Sequence, residues 1–292
     1  MLGFSGLPIR YVECPRDAWQ GLGRFIPTEE KVAFLRELLD AGFRHLDLVS
    51  LVSPRKVPQM RDAGEVLEAL PPPEGRTYLA IIANEKGLVR ALGARNLTAV
   101  GYPFSVSETF QRKNTGRSIR ESWPLVERMV EATRGKLDLV VYLSMGFGNP
   151  YGDPWDLDLV MSFVSRLRQA GVREIAVADT YGVASAERVY QVLTALVEAF
   201  GAEGLGAHLH SRPEPEEVRA KVDAVLDAGV RWLEGALGGV GGCPFAGDEL
   251  VGNLPTEVVL PHLVDRGFDP GPELPRLPEL AEKALLIKSR YV

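Results

Sequence analysis

Two histidines one residue apart, His208 and His210, end the apolar run "LGAHLH" at positions 205–210. On an extended strand, residues i and i+2 share a face, so both imidazoles project together. Paired imidazoles withdrawn from water need a partner that offsets their desolvation. A divalent cation supplies one. Asp17 could add a carboxylate oxygen and Asn253 an amide oxygen to the same ion. Two nitrogens, oxygen ligands and room for water or substrate suit Mg²⁺ or Mn²⁺; Zn²⁺, which favours a closed set richer in thiolate and imidazole, is the lesser expectation.

Arg16 directly precedes Asp17. In a site that binds a carbonyl compound, its guanidinium could stabilise a developing oxyanion or enolate; otherwise it forms an ion pair at a strand end. The segment "EGALGGVGGCPFAGDELVGNLPTE", 234–257, surrounds Cys243 with glycines, and an accessible thiol there could act as an acid. Cys14 reads as a core residue. Asp47 and Asp179 could be further acids, could orient a histidine, or could cap a helix. Gln20 and Ser50 fall near the same strand ends and are expected around the substrate. Lys56, Lys113 and Asn114 lie in loops after the second and fourth strands, where they could hold the phosphates of an anionic cofactor.

These residues need a scaffold that gathers distant strand ends. The candidate strands are "IRYVEC", "FRHLDLV", "TYLAIIA", "LTAVGYP", "LDLVVYLS", "REIAVAD", "LGAHLH" and "RWLEGAL". Amphipathic helical runs separate them, the first with Thr28 as expected N-cap and Gly42 as its stop. Strands with little polar alternation are those of a parallel sheet covered by helices. About eight strand-helix units predict a (β/α)8 TIM barrel, whose chemistry sits at the C-terminal strand ends. A doubly wound sheet is disfavoured because no GxGxxG follows the first strand. The chain reads as one domain over 1–292, with a C-terminal helical extension from about 267 to 292 packing outside the barrel or over its mouth.

The 292 residues are 46% hydrophobic and 25% charged, enough for one large core. A net charge of -6 argues against a general binder of nucleic acid or anionic membrane. With two cysteines and no apolar run near the length of a membrane span, the expected setting is a reducing cytoplasm.

In order along nearly the whole chain, "CPRDAWQ", "FRHLDLVSLVSPRKVPQMRDAGEVL", "SVSETFQRKN", "ADTYGV", "HLH" and "GGVGGCPFAGDELVGNLPTE" resemble the 3-hydroxy-3-methylglutaryl-CoA lyase family. The glycine-rich cysteine motif is the most specific of these, since isopropylmalate-type synthases share the Arg-Asp and HxH parts but lack it. The resemblance implies Asp17, His208, His210 and Asn253 as metal ligands and Arg16 and Cys243 as catalytic, with Asp17 or His208 near the base. It implies cleavage of 3-hydroxy-3-methylglutaryl-CoA to acetyl-CoA and acetoacetate, with an acyl-CoA substrate and a homodimer as the expected partners; the alternatives are the same chemistry on another β-hydroxyacyl-CoA or hydroxy acid, and a catalytically silent acyl-CoA-binding barrel. This chain departs from the family pattern where RDGLQ reads "RDAWQ", where HxHD ends in Ser211, where Asp47 replaces Glu, and where Asn149 replaces a Cys. From these departures Trp19 is expected to narrow the pocket beside the metal.

Overall fold

The computed structural model describes residues 6–242 and 251–292. Cys243, expected as the acid, lies outside the described residues.

Eight parallel strands run in chain order: β1 (Arg10–Glu13), β2 (His45–Ser50), β3 (Thr77–Ile81), β4 (Ala99–Ser105), β5 (Asp138–Ser144), β6 (Glu174–Ala178), β7 (Leu205–His208) and β8 (Trp232–Gly235). Each pairs with the next, and β8 returns to β1 to close a barrel. All eight apolar runs picked from the sequence become strands, because each loses water on both faces. Leu46, Val100, Val141, Ile175 and Leu205 join the layer beneath the helices, whereas Val12, Leu79, Ala99, Val140 and Ala176 form a separate cluster inside the barrel. Polar alternation has no place in such strands.

The interior is shaped by two absent side chains. A Cβ on Gly206 would lie 2.2 Å from Trp232 Cδ2, and one on Gly101 would lie 2.7 Å from Tyr142 Cε2. Both rings therefore fit within the barrel only because glycine stands opposite them.

The pairing of β2 with β3 passes from Asp47↔Leu79 directly to Val49↔Ala80. This bulge sends two consecutive residues, Leu48 and Val49, into the outer apolar layer. Asp47 and Ser50, three positions apart, consequently both face the interior.

Most connecting helices begin at a side-chain cap: Asn84, Ser107, Ser118, Asp156 and Ser185 each accept a hydrogen bond from an amide of the first turn. The helix Thr28–Asp40 does not. Pro27 occupies its N-cap position, and the Thr28 hydroxyl donates to Asp62 at 2.9 Å. Thr28 is thus one residue inside the expected boundary, since an ion pair of Asp62 with Lys31 draws its hydroxyl sideways.

After Gly267, Phe268–Asp269 pairs in parallel with Leu7–Pro8, and the helix Leu277–Tyr291 follows. It settles beside the mouth. A Cβ on Gly238 would come within 2.9 Å of Leu285, and the Tyr291 carbonyl accepts from the Arg24 amide at 2.8 Å. Among the described residues, no helix is long and apolar enough to cross a membrane.

Candidate metal and active site

β1 leads straight into the short helix Pro15–Gln20, with proline at its first position, where the missing N–H leaves no hydrogen bond unmade. That helix carries Arg16, Asp17 and Gln20 across the mouth. Arg16 Nε donates to both oxygens of Asp47, at 3.2 and 3.0 Å, and Nη2 donates to Asp47 Oδ2. Its Nη1 donates to Asp17 Oδ1 at 2.8 Å, and Gln20 Nε2 reaches the same oxygen at 2.7 Å. Asp47, despite its short side chain, spans to Arg16, since strand alternation places it opposite Leu79 on the interior face. One N–H on each terminal guanidinium nitrogen stays free of these carboxylates.

His208 ends β7, and its Nδ1 lies 2.7 Å from Glu234 Oε2. His210 turns its Nδ1–H to the Asp179 backbone carbonyl at 2.9 Å. The two rings stand perpendicular with centroids 5.1 Å apart. Just beyond β7, His210–Ser211 pairs antiparallel with Gly252–Asn253, setting Asn253 opposite His210. Asn253 Nδ2 then donates to Asp17 Oδ2 at 2.8 Å and to the Val240 carbonyl at 2.9 Å.

All four expected ligands thereby meet at one place. A ligating atom from each of Asp17, His208 and His210 lies within 4.8 Å of the others. His210 Nε2 and Asn253 Oδ1 are buried with no hydrogen-bond partner among the described residues. An unpaired buried polar atom costs about 1–3 kcal/mol, so two beside a carboxylate are a strong sign that the cluster is built for a cation. The donor set of one carboxylate, two imidazoles and one amide oxygen fits a divalent ion of mixed oxygen and nitrogen preference.

The protein's own field prepares these groups. Burial raises the Asp17 pKa, but Arg16 and the two imidazoles overcome it and hold the carboxyl well below the usual carboxylate range. Burial, reinforced by His208, lowers His210 to about 4, keeping it neutral as a ligand must be. Burial lifts Asp47 to about 6 against the pull of Arg16. The Arg16 pKa itself rises, because both carboxylates outweigh its desolvation, so the pair is ionised at neutral pH.

A cavity of about 170 Å³ opens over the cluster, lined by Arg16, Asp17, Gln20, Ser50, both histidines, Lys56 and Asn114. Lys113 is not brought there; its ammonium sits 4.4 Å from the centre of the Tyr151 ring. Trp19 is not brought there either. It is buried on the other side of its helix, edge-on to Phe34 at 5.9 Å, so it does not narrow the cavity. The Asp179 carboxylate accepts from the Val183 and Ala184 amides at 3.0 Å, shaping the turn after β6, while only its carbonyl serves the site. Asn149 likewise braces its own loop through Tyr151 and Asp153. Cys14 is fully buried, as expected of a core residue, though it follows β1 as the N-cap of the next helix.

Glu234 and Tyr142 belong to the site and were not singled out from the sequence. Glu234 is buried beneath His208, and Tyr142 lines the cavity and donates to Glu234 Oε1 at 3.2 Å. The available signal was a lone Glu in the apolar strand "RWLEGAL", next to the HxH strand in chain order and hence in the barrel.

The HMGL-like family model matches residues 12–283. The hydroxymethylglutaryl-CoA lyase of Bacillus subtilis is 33% identical over 248 residues, 84% of this chain and 81% of the relative. Among solved structures, the HMG-CoA lyase from Brucella melitensis superposes with a TM-score of 0.89 at 29% identity, covering 97% of this chain and 99% of that one. An HMG-CoA lyase from Acinetobacter baumannii, in complex with coenzyme A and 3-methylmalate, gives 0.90 at 28% identity, covering 99% and 93%.

Proposed function

Since the chain belongs to the HMGL-like family and is a carbon–carbon lyase of it, we propose that it cleaves 3-hydroxy-3-methylglutaryl-CoA to acetyl-CoA and acetoacetate. The observation that carries this reading is the meeting of Asp17, His208, His210 and Asn253 beneath the cavity, with His210 Nε2 and Asn253 Oδ1 left without partners among the described residues. These four residues would hold Mg²⁺ or Mn²⁺ in preference to Zn²⁺, and the bound ion would supply Lewis-acid polarisation of the substrate's hydroxyl.

Arg16 serves the thioester end. Asp47 and Asp17 fix its plane from two directions, and its remaining N–H groups offer two donors to the enolate oxygen that develops as the carbon–carbon bond breaks. Because the donors are held before the reaction, little reorganisation opposes charge development. A group at the His208–Asp17 end takes the hydroxyl proton, and Cys243 returns a proton to the enolate carbon to complete acetyl-CoA. Lys56 and Asn114 would meet the coenzyme, a reading supported by their position at the cavity wall. Of the departures from the family pattern, Trp19 lies outside the cavity and Asp47 still engages Arg16, which removes two reasons to assign a different acyl group.

The test is acetyl-CoA release from a panel of 3-hydroxyacyl-CoAs with Mg²⁺ or Mn²⁺, alongside Cys243→Ser and His210→Ala. The proposal expects the 3-hydroxy-3-methylglutaryl thioester to lead the panel. Cys243→Ser should keep metal and lose most turnover, while His210→Ala should lose metal affinity. Equal turnover in Cys243→Ser removes the acid role, and a different preferred thioester removes the substrate.

A further inference from the structure

The two histidines of the cluster are held by unlike partners: His210 by a neutral backbone carbonyl, His208 by the carboxylate of Glu234. Glu234 is 1% exposed, deep inside the barrel, where an ionised carboxylate loses several kcal/mol of hydration. Each of its oxygens is met by donors. Oε1 accepts from Tyr142 Oη at 3.2 Å and Trp232 Nε1 at 3.1 Å, and Oε2 from His208 Nδ1 at 2.7 Å, with Cys14 Sγ at 3.9 Å. Two of those donors occupy space that exists because Gly101 and Gly206 lack side chains. The interior of β4, β5, β7 and β8 is therefore arranged around this one carboxylate, which reaches the cavity wall through His208 and Tyr142.

Cys14, His208 and Glu234 also bring possible ligand atoms within 4.8 Å of one another. A second ion there would have to break the His208–Glu234 bond and displace donors already in place. The hydrogen-bonded reading leaves no such demand.

We propose that Glu234 is a positioning residue that locks His208 as the Nδ1–H tautomer, presenting Nε2 to the cavity. A carboxylate cannot donate, so it forces the proton onto Nδ1 and leaves the lone pair on Nε2, the form a metal requires. The activity consequence rests on the lyase reading above; the tautomer does not.

The decisive variant is Glu234→Gln. Tyr142 and Trp232 both donate to Oε1, so the carbonyl oxygen of the glutamine must take that side and its NH₂ must face His208 Nδ1. His208 then moves its proton to Nε2 and loses its lone pair toward the cavity. The experiment is long-range ¹H–¹⁵N correlation on ¹⁵N-histidine protein without metal, at a pH where His208 is neutral, its signals assigned by their loss in His208→Gln. Mn²⁺ affinity is measured in parallel by calorimetry. Wild type is expected as Nδ1–H and Glu234→Gln as Nε2–H, with Mn²⁺ affinity falling about 10- to 100-fold at an unchanged circular dichroism spectrum. Glu234→Asp, which keeps an acceptor, should restore the Nδ1–H tautomer. Wild-type His208 protonated on Nε2 overturns the proposal even if no Glu234 variant folds, as does a Glu234→Gln affinity within twofold of wild type. If wild type binds no Mn²⁺, the metal reading fails while the tautomers still decide the role of Glu234.

Discussion

Replacing Asn253 by Asp exchanges a double donor for a carboxylate at the centre of the cluster, and its effect should reverse sign with metal. Asn253 Nδ2 bonds Asp17 at 2.8 Å and the Val240 carbonyl at 2.9 Å, and an aspartate supplies neither proton. Loss of a hydrogen bond to a charged group is worth about 1.5–3 kcal/mol, and a stranded buried carbonyl costs about 1–3 kcal/mol. Two carboxylates about 4 Å apart repel by about 4 kcal/mol at an effective dielectric of 20. Uptake of a proton by one of them caps that penalty. The metal-free variant should therefore be about 3–5 kcal/mol less stable, a fall in Tm on the order of 10 °C for a chain of this size. A divalent ion between the two carboxylates converts the repulsion into attraction. Saturating Mn²⁺ should then raise the Tm of Asn253→Asp by more than it raises wild type, and the gap should shrink. Calorimetric unfolding with EDTA and with Mn²⁺ measures both halves. A metal-free variant as stable as wild type would refute the hydrogen-bond reasoning, and equal Mn²⁺ increments would refute Asn253 as a ligand.

Glu13 lies outside the catalytic cluster, buried on the outer side of β1, accepting from Thr256 Oγ1 at 2.5 Å and the Leu237 amide at 2.8 Å. Burial raises its pKa from 4.5 to about 8, so the fold favours its protonated form. That contribution is complete below pH 4.5 and is lost as pH rises to about 8, at about 1.4 kcal/mol per pH unit. Glu13→Gln, which mimics the neutral acid, should remove this slope relative to wild type in urea titrations across that range; parallel curves would contradict it. Trp19→Leu should cost roughly 2 kcal/mol through lost packing on Phe34 and leave KM unchanged, whereas a several-fold KM shift in steady-state assays would put Trp19 at the substrate. Lys56→Ala should raise KM for the acyl-CoA about tenfold, a loss of about 1.4 kcal/mol, while Lys113→Ala should stay within twofold. Equal effects of the two would refute the division made by the cavity wall.

What could be read along the chain is what depends on neighbours in sequence. The strands β1 to β8 were legible because double-sided burial writes each as a short apolar run, and the HxH pair because a strand's two-residue period is local. The same locality placed Arg16 and Asp17 at the end of β1. Where a side chain's direction depends on contacts from elsewhere, the linear reading missed. Thr28 slipped past its cap because Asp62 claims its hydroxyl. Trp19 turned from the cavity because Phe34 offers it a ring contact. Sequence alone determined that this chain forms a barrel and supplies imidazole, carboxylate and amide donors. Only the tertiary structure decided their company: the bulge that turns Ser50 to the same face as Asp47, the antiparallel pair that sets Asn253 against His210, and the closure of β8 beside β7 that brings Glu234 under His208. Those contacts join residues whose separation carries no periodic signal, and they form because backbone hydrogen bonds and buried charges must find partners once the barrel has closed.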